Sequence, residues 1–495
     1  MKFVNGEPIA RVFTNDFRKR TGFSNDKASL LIDRMRDIVM YAHERDALLI
    51  DANELGYFVV NNNSQEPEPR IIDVDCWVID DKWPPSCPIM PSIRDWHVRQ
   101  GKQWNEGTDW FAWGVVTFQV YTGIHPYKGT LIGYKRNELE RRMRDNASVF
   151  TNNVRLNKAV RDFSCIPGHL LDWYVATFQS GERTIPPSPF ETGVATTQVA
   201  RVLHAITTAT GILVFDKLLG KIGVQVIRFF PCGVALLESG KLIDVSKSRQ
   251  IGIAQSRDCE IVKVQNGWLK TDLEDGNIRF FHINEVSLDE KEMTLNLNGH
   301  QLLRYGNRLF VVTDRGLTEM TLKVLGKPIL SVGQTWGVMI NSTRWFDGVG
   351  IQDTMGATYV IAPFSDNSCA QIRVRELDGL KPIMAKAGNR FITVIALDGN
   401  GVYQKIELTM DRGYSSYKVW QEATDSPDLN IAILPKGVCA TIVNDGELDI
   451  FVPTSGTFNK IQDKYVLTDM ALANWENKVV YIQNGELWSV RMSGK

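Results

Sequence analysis

Beyond about Arg201 the sequence repeats one phrase, in which a short apolar strand, a turn ending in glycine and a second strand follow one another. The copies "GVCATIVNDGELDIFV" and "ENKVVYIQNGELWSV" show it most plainly. Asn-Gly and Asp-Gly suit tight hairpins because both residues tolerate positive φ angles. The turn glycines are Gly240, Gly276, Gly316, Gly356, Gly401, Gly446 and Gly485.

The spacing of these glycines is even, at 36, 40, 40, 45, 45 and 39 residues. A period of about 40 residues with hairpins is typical of one four-stranded propeller blade per repeat. We therefore predict an all-β propeller over residues 205–495, with seven blades favoured and six or eight left open. Strands between Gly211 and Phe230 are expected to close the ring against the last blade.

Residues 29–191 are patterned as helices instead. Leu31, Met35 and Val39 recur at the spacing of one helix face. The stretch "DWFAWGVVTFQVYTGI" is apolar nearly all round, which predicts a buried helix. The prolines of "TIPPSPF" end this pattern. The predicted organisation is an N-terminal extension (1–28), a helical domain (29–191), a linker (192–204) and the propeller (205–495).

Composition excludes several classes of function. A net charge of −1 gives no overall field that would draw the chain to nucleic acid or to a membrane. The N-terminus lacks the apolar segment of a signal peptide, and no apolar run is long enough to span a membrane. The seven cysteines are scattered, which favours reduced thiols in a cytoplasm-like compartment. The seven histidines lack metal-ligand spacing, and no cofactor site is predicted.

Four stretches of the helical half resemble the C-terminal lobe of a eukaryotic-like Ser/Thr protein kinase. They occur in the order of that lobe and cover roughly residues 15–190. The closest resemblance is to a bacterial subgroup whose metal-binding motif reads Asp-Val-Asp. The stretches are "ALLIDANELGYFVV", "RIIDVDCWVID", "GTDWFAWGVVTFQVYTGIHPYKG" and "IPGHLLDWYVATFQSGER".

The resemblance implies roles for four residues. Asp51 matches the catalytic aspartate, which accepts the proton of the substrate hydroxyl. Asp73 matches the magnesium-binding aspartate. Asp109 matches the residue that ties the start of the central helix to the catalytic loop, and Arg183 matches a buried arginine.

The departures from the family pattern point away from catalysis. Leu49 and Ile50 replace the His-Arg pair of the loop, and Gly56 replaces the asparagine that holds a second metal ion. Ile93 stands where the family places the glutamate that pairs with the buried arginine, so Arg183 is expected to lack its usual partner. The residues before Asp51 contain no G-x-G-x-x-G and no strand lysine motif.

We therefore interpret Asp51 and Asp73 as vestigial catalytic candidates in a chain that is not an enzyme. Asp73 and Asp75 stand two residues apart at a predicted strand end and remain weak candidates for holding one cation. The fold class is multi-domain α and β: a mainly helical domain like a kinase C-lobe, followed by a propeller of about seven blades.

The predicted function is a non-catalytic protein-interaction or structural scaffold, one subunit of a larger assembly. Its partners would be other protein subunits, and its setting the cytoplasm or a virus particle, such as a bacteriophage virion or tail. The predicted interaction residues are Tyr57, Phe58 and Trp77, on an apolar surface that an N-terminal lobe covers in a complete kinase. Another subunit is favoured over residues 1–26 as the cover, because that segment is mostly polar.

Two alternatives stay open. The chain could be one half of a split kinase, with its N-terminal lobe supplied by a partner and with Asp51 and Asp73 active. The propeller could instead bind a ligand or glycan in its central channel, with aromatic side chains gathered at one mouth. The aromatic candidates are Trp268, Trp336, Trp345 and Trp488.

Overall fold

The computed structural model divides into two compact units. The first comprises Met1–Ala205 with Leu397–Gln404 and Ala423–Asp428, and the second comprises Ile206–Ala396, Lys405–Glu422 and Leu429–Lys495. The structure describes residues 4, 6–60, 66–80, 82–84, 87–98, 104–190, 213–220, 225–274, 276–295, 297–364, 368–435, 437–452 and 457–492. The predicted linker, 192–204, lies outside these residues.

Helices and short strands make up the described part of the first unit. The helices are α1 Ile9–Val12, α2 Asn15–Thr21, α3 Asn25–His43, α4 Glu106–Thr122, α5 Leu139–Arg144 and α6 Gly168–Phe178, with a 3₁₀ turn at Phe163–Cys165. The strands are β1 Glu7–Pro8, β2 Ala47–Leu48, β3 Tyr57–Val60, β4 Glu68–Ile71 and β5 Val78–Ile79. They pair in the order β1-β3-β4 and as β2-β5.

Helix α4 is the predicted buried helix, and the structure confirms it. Its apolar residues leave no polar face to expose, so it lies at the centre of the unit rather than on its surface. Asn105 caps the first turn by accepting the backbone N–H of Gly107, and Gly123 ends the helix with a φ of 78°. Among the described residues no helix is long and apolar enough to cross a membrane.

The N-terminal segment is part of the core of the first unit. Strand β1 pairs with β3, with Pro8 opposite Phe58. Ile9, Val12, Phe13 and Phe17 of the same segment are all buried. These few apolar side chains are enough to anchor the segment in the core, because each of them is fully buried. The expectation that another subunit, rather than this segment, covers the strand at Tyr57 is wrong.

The second unit is built on seven four-stranded antiparallel sheets within the described residues, numbered here as blades 1 to 7. Blades 1 to 3 are β7 Val226–Phe230, β8 Val234–Leu237, β9 Lys241–Asp244, β10 Arg249–Ile253; β11 Cys259–Val264, β12 Gly267–Glu274, β13 Asn277–Asn284, β14 Glu290–Met293; and β15 Gln301–Tyr305, β16 Arg308–Thr313, β17 Gly316–Leu325, β18 Lys327–Trp336. Blades 4 and 5 are β19 Thr343–Phe346, β20 Val349–Thr354, β21 Ala357–Pro363, β22 Cys369–Arg373; and β23 Lys381–Gly388, β24 Phe391–Leu397, β25 Tyr403–Met410, β26 Tyr417–Thr424. Blades 6 and 7 are β27 Ile431–Ile433, β28 Cys439–Thr441, β29 Glu447–Val452, β30 Thr457–Gln462; and β31 Ala471–Trp475, β32 Lys478–Gln483, β33 Glu486–Met492, joined by β6 Leu213–Leu219.

The blades close into a ring. Buried apolar clusters join each blade to the next, and one of them joins Val226 and Phe229 of blade 1 to Val480 and Leu487 of blade 7. Strand β6 precedes blade 1 in the chain but pairs antiparallel with β33, as the fourth strand of blade 7. This is the predicted closing strand, and it confirms the propeller architecture.

The periodic glycines lie where the repeat predicts them. Six of them sit in the turn between the second and third strands of a blade, Gly316 is the first residue of the third strand of blade 3, and all seven have positive φ angles. At Gly316 the backbone also approaches closely, since an added Cβ would lie 2.0 Å from the carbonyl oxygen of Trp336. The even spacing thus reflects one left-handed turn residue per blade.

Candidate functional site

The loop between β2 and β3 is anchored by Asp109 from the start of α4. The carboxylate of Asp109 accepts the backbone N–H groups of Leu49 and Ile50 at 2.8 and 2.9 Å. It also lies 3.0 Å from Nε2 of His43. Ile50 has a φ of 66°, which is unfavourable for a β-branched residue. The hydrogen bonds that the loop donates to Asp109 hold it in this conformation, so the expected contact between the helix start and the loop is present.

Asp51 follows at the turn of this loop, with both carboxylate oxygens engaged. Oδ1 accepts the backbone N–H of Met90 at 2.8 Å, and Oδ2 accepts Nδ2 of Asn53 at 3.0 Å. Burial raises the pKa of Asp51 to about 6, and the nearby charge of Asp73 contributes in the same direction. The structure thus brings these two aspartates into each other's electrostatic range.

Asn53 serves the backbone of the turn. Its Oδ1 accepts the N–H groups of Leu55 and Gly56 at 2.8 and 3.0 Å. An amide oxygen committed to two backbone donors is a poor candidate for a metal ligand. Gly56 has no side chain that could serve as a ligand.

Asp73 and Asp75 are exposed to solvent. Among the described residues, no group of three or more histidine, cysteine, aspartate or glutamate side chains converges on one point. The two carboxylates alone would hold a cation weakly, since calcium and magnesium require six or more ligands in all.

Arg183 has a partner, so the expectation that it would lack one is wrong. Its guanidinium binds Asp95 through Nε to Oδ2 at 2.6 Å and Nη2 to Oδ1 at 3.0 Å. It also lies over the ring of Phe111. Sequence reasoning looked for the acid at Ile93, whereas the partner stands two residues later. The nearby carboxylate in "PSIRDWH" was the signal that could have identified it.

A buried polar cluster that the sequence did not reveal lies in the first unit. Glu54 is fully enclosed, accepts a hydrogen bond from Ser92 at 3.3 Å, and has its pKa raised to about 7 by burial. Lys128 is also buried, and burial lowers its pKa. Its ammonium lies 4.7 Å from the ring centre of Tyr403, which belongs to the first unit together with the rest of Leu397–Gln404. His125 has its pKa lowered by burial to about 3, and the neutral ring contacts the carbonyl oxygen of Ser92.

The predicted interaction residues differ in exposure. Tyr57 is completely buried, so its side chain offers no surface to a partner, and the expected bare apolar face does not include it. Phe58 and Trp77 are half-buried, and their role in binding stays a prediction. Beside Trp77, Cys76 forms a disulfide with Cys87. The expectation of reduced thiols throughout is therefore wrong for this pair, while the five other cysteines are free.

In the second unit, Trp268 and Trp345 are buried within blades 2 and 4, and therefore provide no surface for a glycan. Trp336 and Trp488 are half-buried. Charged side chains of successive blades form a belt of alternating sign. The belt is Arg228, Glu260, Arg304, Asp347 and Lys386, each ion-paired with its neighbour in the series.

No protein-family model matches the chain, and no curated protein matches it. Among solved structures, the WD40 repeats of RRP9 are similar, with 11% identity over 58% of this chain and 98% of that chain and a TM-score of 0.36. The structure of U3-55K has 11% identity over 56% of this chain and 98% of that chain, with a TM-score of 0.35. Kluyveromyces lactis Hsv2 has 9% identity over 55% and 98%, with a TM-score of 0.33. At such TM-scores the similarity identifies neither a family nor a function.

Proposed function

We propose that the chain is a non-catalytic scaffold, in which a degenerate kinase-like lobe and a seven-bladed propeller bind other protein subunits. The observation that carries this proposal is the state of the Asp51 loop. Both oxygens of Asp51 and the side-chain oxygen of Asn53 are bound by donors of the protein itself. Phosphoryl transfer by a kinase needs this aspartate to accept the proton of a substrate hydroxyl and a loop amide oxygen to hold a metal ion. Oxygens that are bound by donors of the protein instead support a structural role for the loop.

Two contacts support the resemblance of the first unit to a kinase lobe. Asp109 binds the backbone of the loop at Leu49 and Ile50, which is the role that the resemblance implied for it. Arg183 is held in a carboxylate pair with Asp95, although the acid stands at a different position from the family pattern. The first contact fixes the loop against the start of α4, and the second fixes the segment at Asp95.

The closed ring of blades supports the scaffold role by a different route. A propeller has no long unpaired sheet edge at its closure and presents rigid loops and blade edges to partners. We propose protein subunits as the partners and no specific nucleic acid. The proposed setting is the cytoplasm or a virus particle, with a phage virion or tail as one example.

One observation favours a second candidate, the split kinase. The charge of Asp73 adds to the larger effect of burial in raising the pKa of Asp51, so the two carboxylates lie within electrostatic range of each other. In that case a partner chain would supply the N-terminal lobe and the nucleotide site. The Asp51–Asp73 pair would then become catalytic only in the complex.

Thermal shift with ATP and magnesium tests whether the chain alone holds a nucleotide, and the same assay on the complex isolated from the native extract separates the two candidates. Ligand at 100 times its dissociation constant stabilises a protein by about 2.7 kcal/mol, which is readily visible. We expect no shift for the purified chain or for the complex. A shift that disappears in Asp73→Ala and persists in Asp37→Ala, an exposed control on α3, would reject the non-catalytic proposal.

The scaffold role is tested by sedimentation of the native extract. We expect the chain to sediment in a particle larger than one copy, and Trp77→Asp to release it while thermal unfolding stays unchanged. Phe58→Asp is the second variant, and Ile132→Asp, at a residue 90% exposed, is the matched control. If the wild-type chain sediments as a monomer, the scaffold proposal fails.

A further inference from the structure

Cys76 and Cys87 lie on two neighbouring segments of the first unit, and a disulfide joins them. Cys76 follows the acidic stretch that contains Asp73, and Cys87 precedes Met90, whose N–H binds Asp51. Their Cα atoms are 5.1 Å apart, within the range that a disulfide bridges without movement of the backbone. The bond therefore ties the acidic stretch to the segment that fixes Asp51.

An apolar cluster surrounds the pair. Ile50, Val78 and Trp104 form its buried centre, and both cysteines pack against it. Trp83 adds a second ring, 5.9 Å from that of Trp104 between centroids. Both cysteines remain half-buried rather than enclosed. The two cysteines are thus prepositioned by packing without being enclosed.

The other cysteines differ in reactivity. Burial raises the pKa of Cys232, Cys259 and Cys369 to about 12, and raises those of Cys165 and Cys439 as well. Thiolate is the species that attacks a disulfide, so these five thiols react slowly. Thiol–disulfide exchange is therefore expected at Cys76 and Cys87, which already lie within bonding distance of each other.

We propose that Cys76 and Cys87 form a reversible disulfide that fixes the position of the Met90 segment against Asp51. In the exchange, one protein thiolate attacks a sulfur of glutathione disulfide and displaces one glutathione thiolate. The second protein thiolate then attacks the mixed disulfide and displaces the other. Two protein thiols are oxidised, one glutathione disulfide is reduced to two glutathione molecules, and the two protons of the protein thiols end on those products.

The structural consequence of reduction is local. Without the bond, Met90 is held only by its own contacts, and its hydrogen bond to Asp51 opens more often. The disulfide closes a short loop and so reduces the conformational entropy of the unfolded chain. The redox chemistry of Cys76 and Cys87 is independent of the scaffold role.

The test uses the full chain in glutathione buffers of defined ratio, followed by acid quench, alkylation and peptide mass spectrometry. In the oxidising buffer we expect Cys76 and Cys87 to resist alkylation and to appear in one linked peptide. In the reducing buffer both should be alkylated, and re-oxidation should restore the link. Free alkylation of the two cysteines in the oxidising buffer would overturn the proposal.

Hydrogen exchange tests the coupling to Asp51. Reduction should speed exchange of the peptide containing Met90 by about tenfold, the equivalent of a modest loss of local stability. Cys76→Ser and Cys87→Ser should each show the fast rate in both buffers, while Cys165→Ser should respond as the wild type does. An exchange rate at Met90 that is equal in the two buffers would reject the coupling even if the disulfide forms.

Discussion

Arg183 binds the carboxylate of Asp95 through two parallel hydrogen bonds, Nε to Oδ2 at 2.6 Å and Nη2 to Oδ1 at 3.0 Å. The residues are 88 positions apart in the chain. The Asp95 side chain is 1% exposed, so its negative charge has almost no contact with water. The paired guanidinium therefore supplies the compensation that solvent would otherwise give.

Loss of that compensation should be costly. Arg183→Ala leaves a buried carboxylate unpaired, and we expect the free energy of unfolding to fall by about 3 kcal/mol. Arg183→Lys keeps the charge but loses the bidentate geometry, so we expect the free energy of unfolding to fall by about 1–2 kcal/mol. Urea unfolding measures both. In a double-mutant cycle with Asp95→Ala the two losses should be far from additive, and additive losses would contradict the pairing.

The pH dependence of stability should carry the signature of Asp51. Its pKa is raised from 3.8 to about 6, so the folded chain binds this proton more tightly than the unfolded chain does. The free energy of unfolding therefore falls as pH rises from about 4 to 6, and the contribution is constant above that window. Partial exposure limits the effect to about 1–2 kcal/mol.

Asp51→Asn should remove this part of the pH dependence, because an amide does not titrate. The control Asp37→Asn, on the exposed face of α3, should keep it. Glu54 and Asp428 have raised pKa values as well, so some slope between pH 4 and 7 should survive in both variants. If the free energy of unfolding varied with pH in the same way for the wild type and for Asp51→Asn across this range, the assignment would be contradicted.

Two turn glycines should respond differently to the same substitution. Gly356 has a φ of 77° with open space where a Cβ would stand, so Gly356→Ala should cost only the backbone strain, about 1 kcal/mol. Gly316 has a φ of 126°, and its Cβ would lie 2.0 Å from the oxygen of Trp336. Gly316→Ala should therefore cost at least about 2 kcal/mol more. Equal shifts of Tm for the two variants would show that the close approach is relieved without cost.

Strand β6 should close the ring equally well when its sequence is moved to the other end of the propeller. Replacing residues 213–219 with a Gly-Ser segment of equal length removes the fourth strand of blade 7, and we expect a lower Tm with aggregation through the exposed edge of β33. Met492 lies opposite Leu213, so a two-residue Asn-Gly turn after Met492 can return the missing strand to its place. That addition should restore Tm, whereas a scrambled strand should not. Failure of the restored strand to raise Tm would contradict the closure.

Local patterns predicted much of the fold. The periodic glycines marked one hairpin in each blade. A tight turn needs a positive φ angle at one residue, which glycine adopts most readily, so the turn can be recognised from the local sequence. The apolar run at α4 indicated a helix buried on every side. The N-terminal segment was misjudged because counting apolar residues does not show how completely each is enclosed. Ile9, Val12 and Phe13 are few in number, but all are fully buried.

The sequence by itself determined where the backbone must turn and which faces of helices and strands avoid water, because these depend on neighbours within a few residues. Only the tertiary structure decided which distant groups meet. It paired Arg183 with Asp95 rather than leaving it alone, joined Cys76 to Cys87, and placed β6 on the last blade. The pKa of Asp51 was decided in the same way, since desolvation and the charge of Asp73 act through space. Distances through space are set by packing, and no spacing along the chain encodes them.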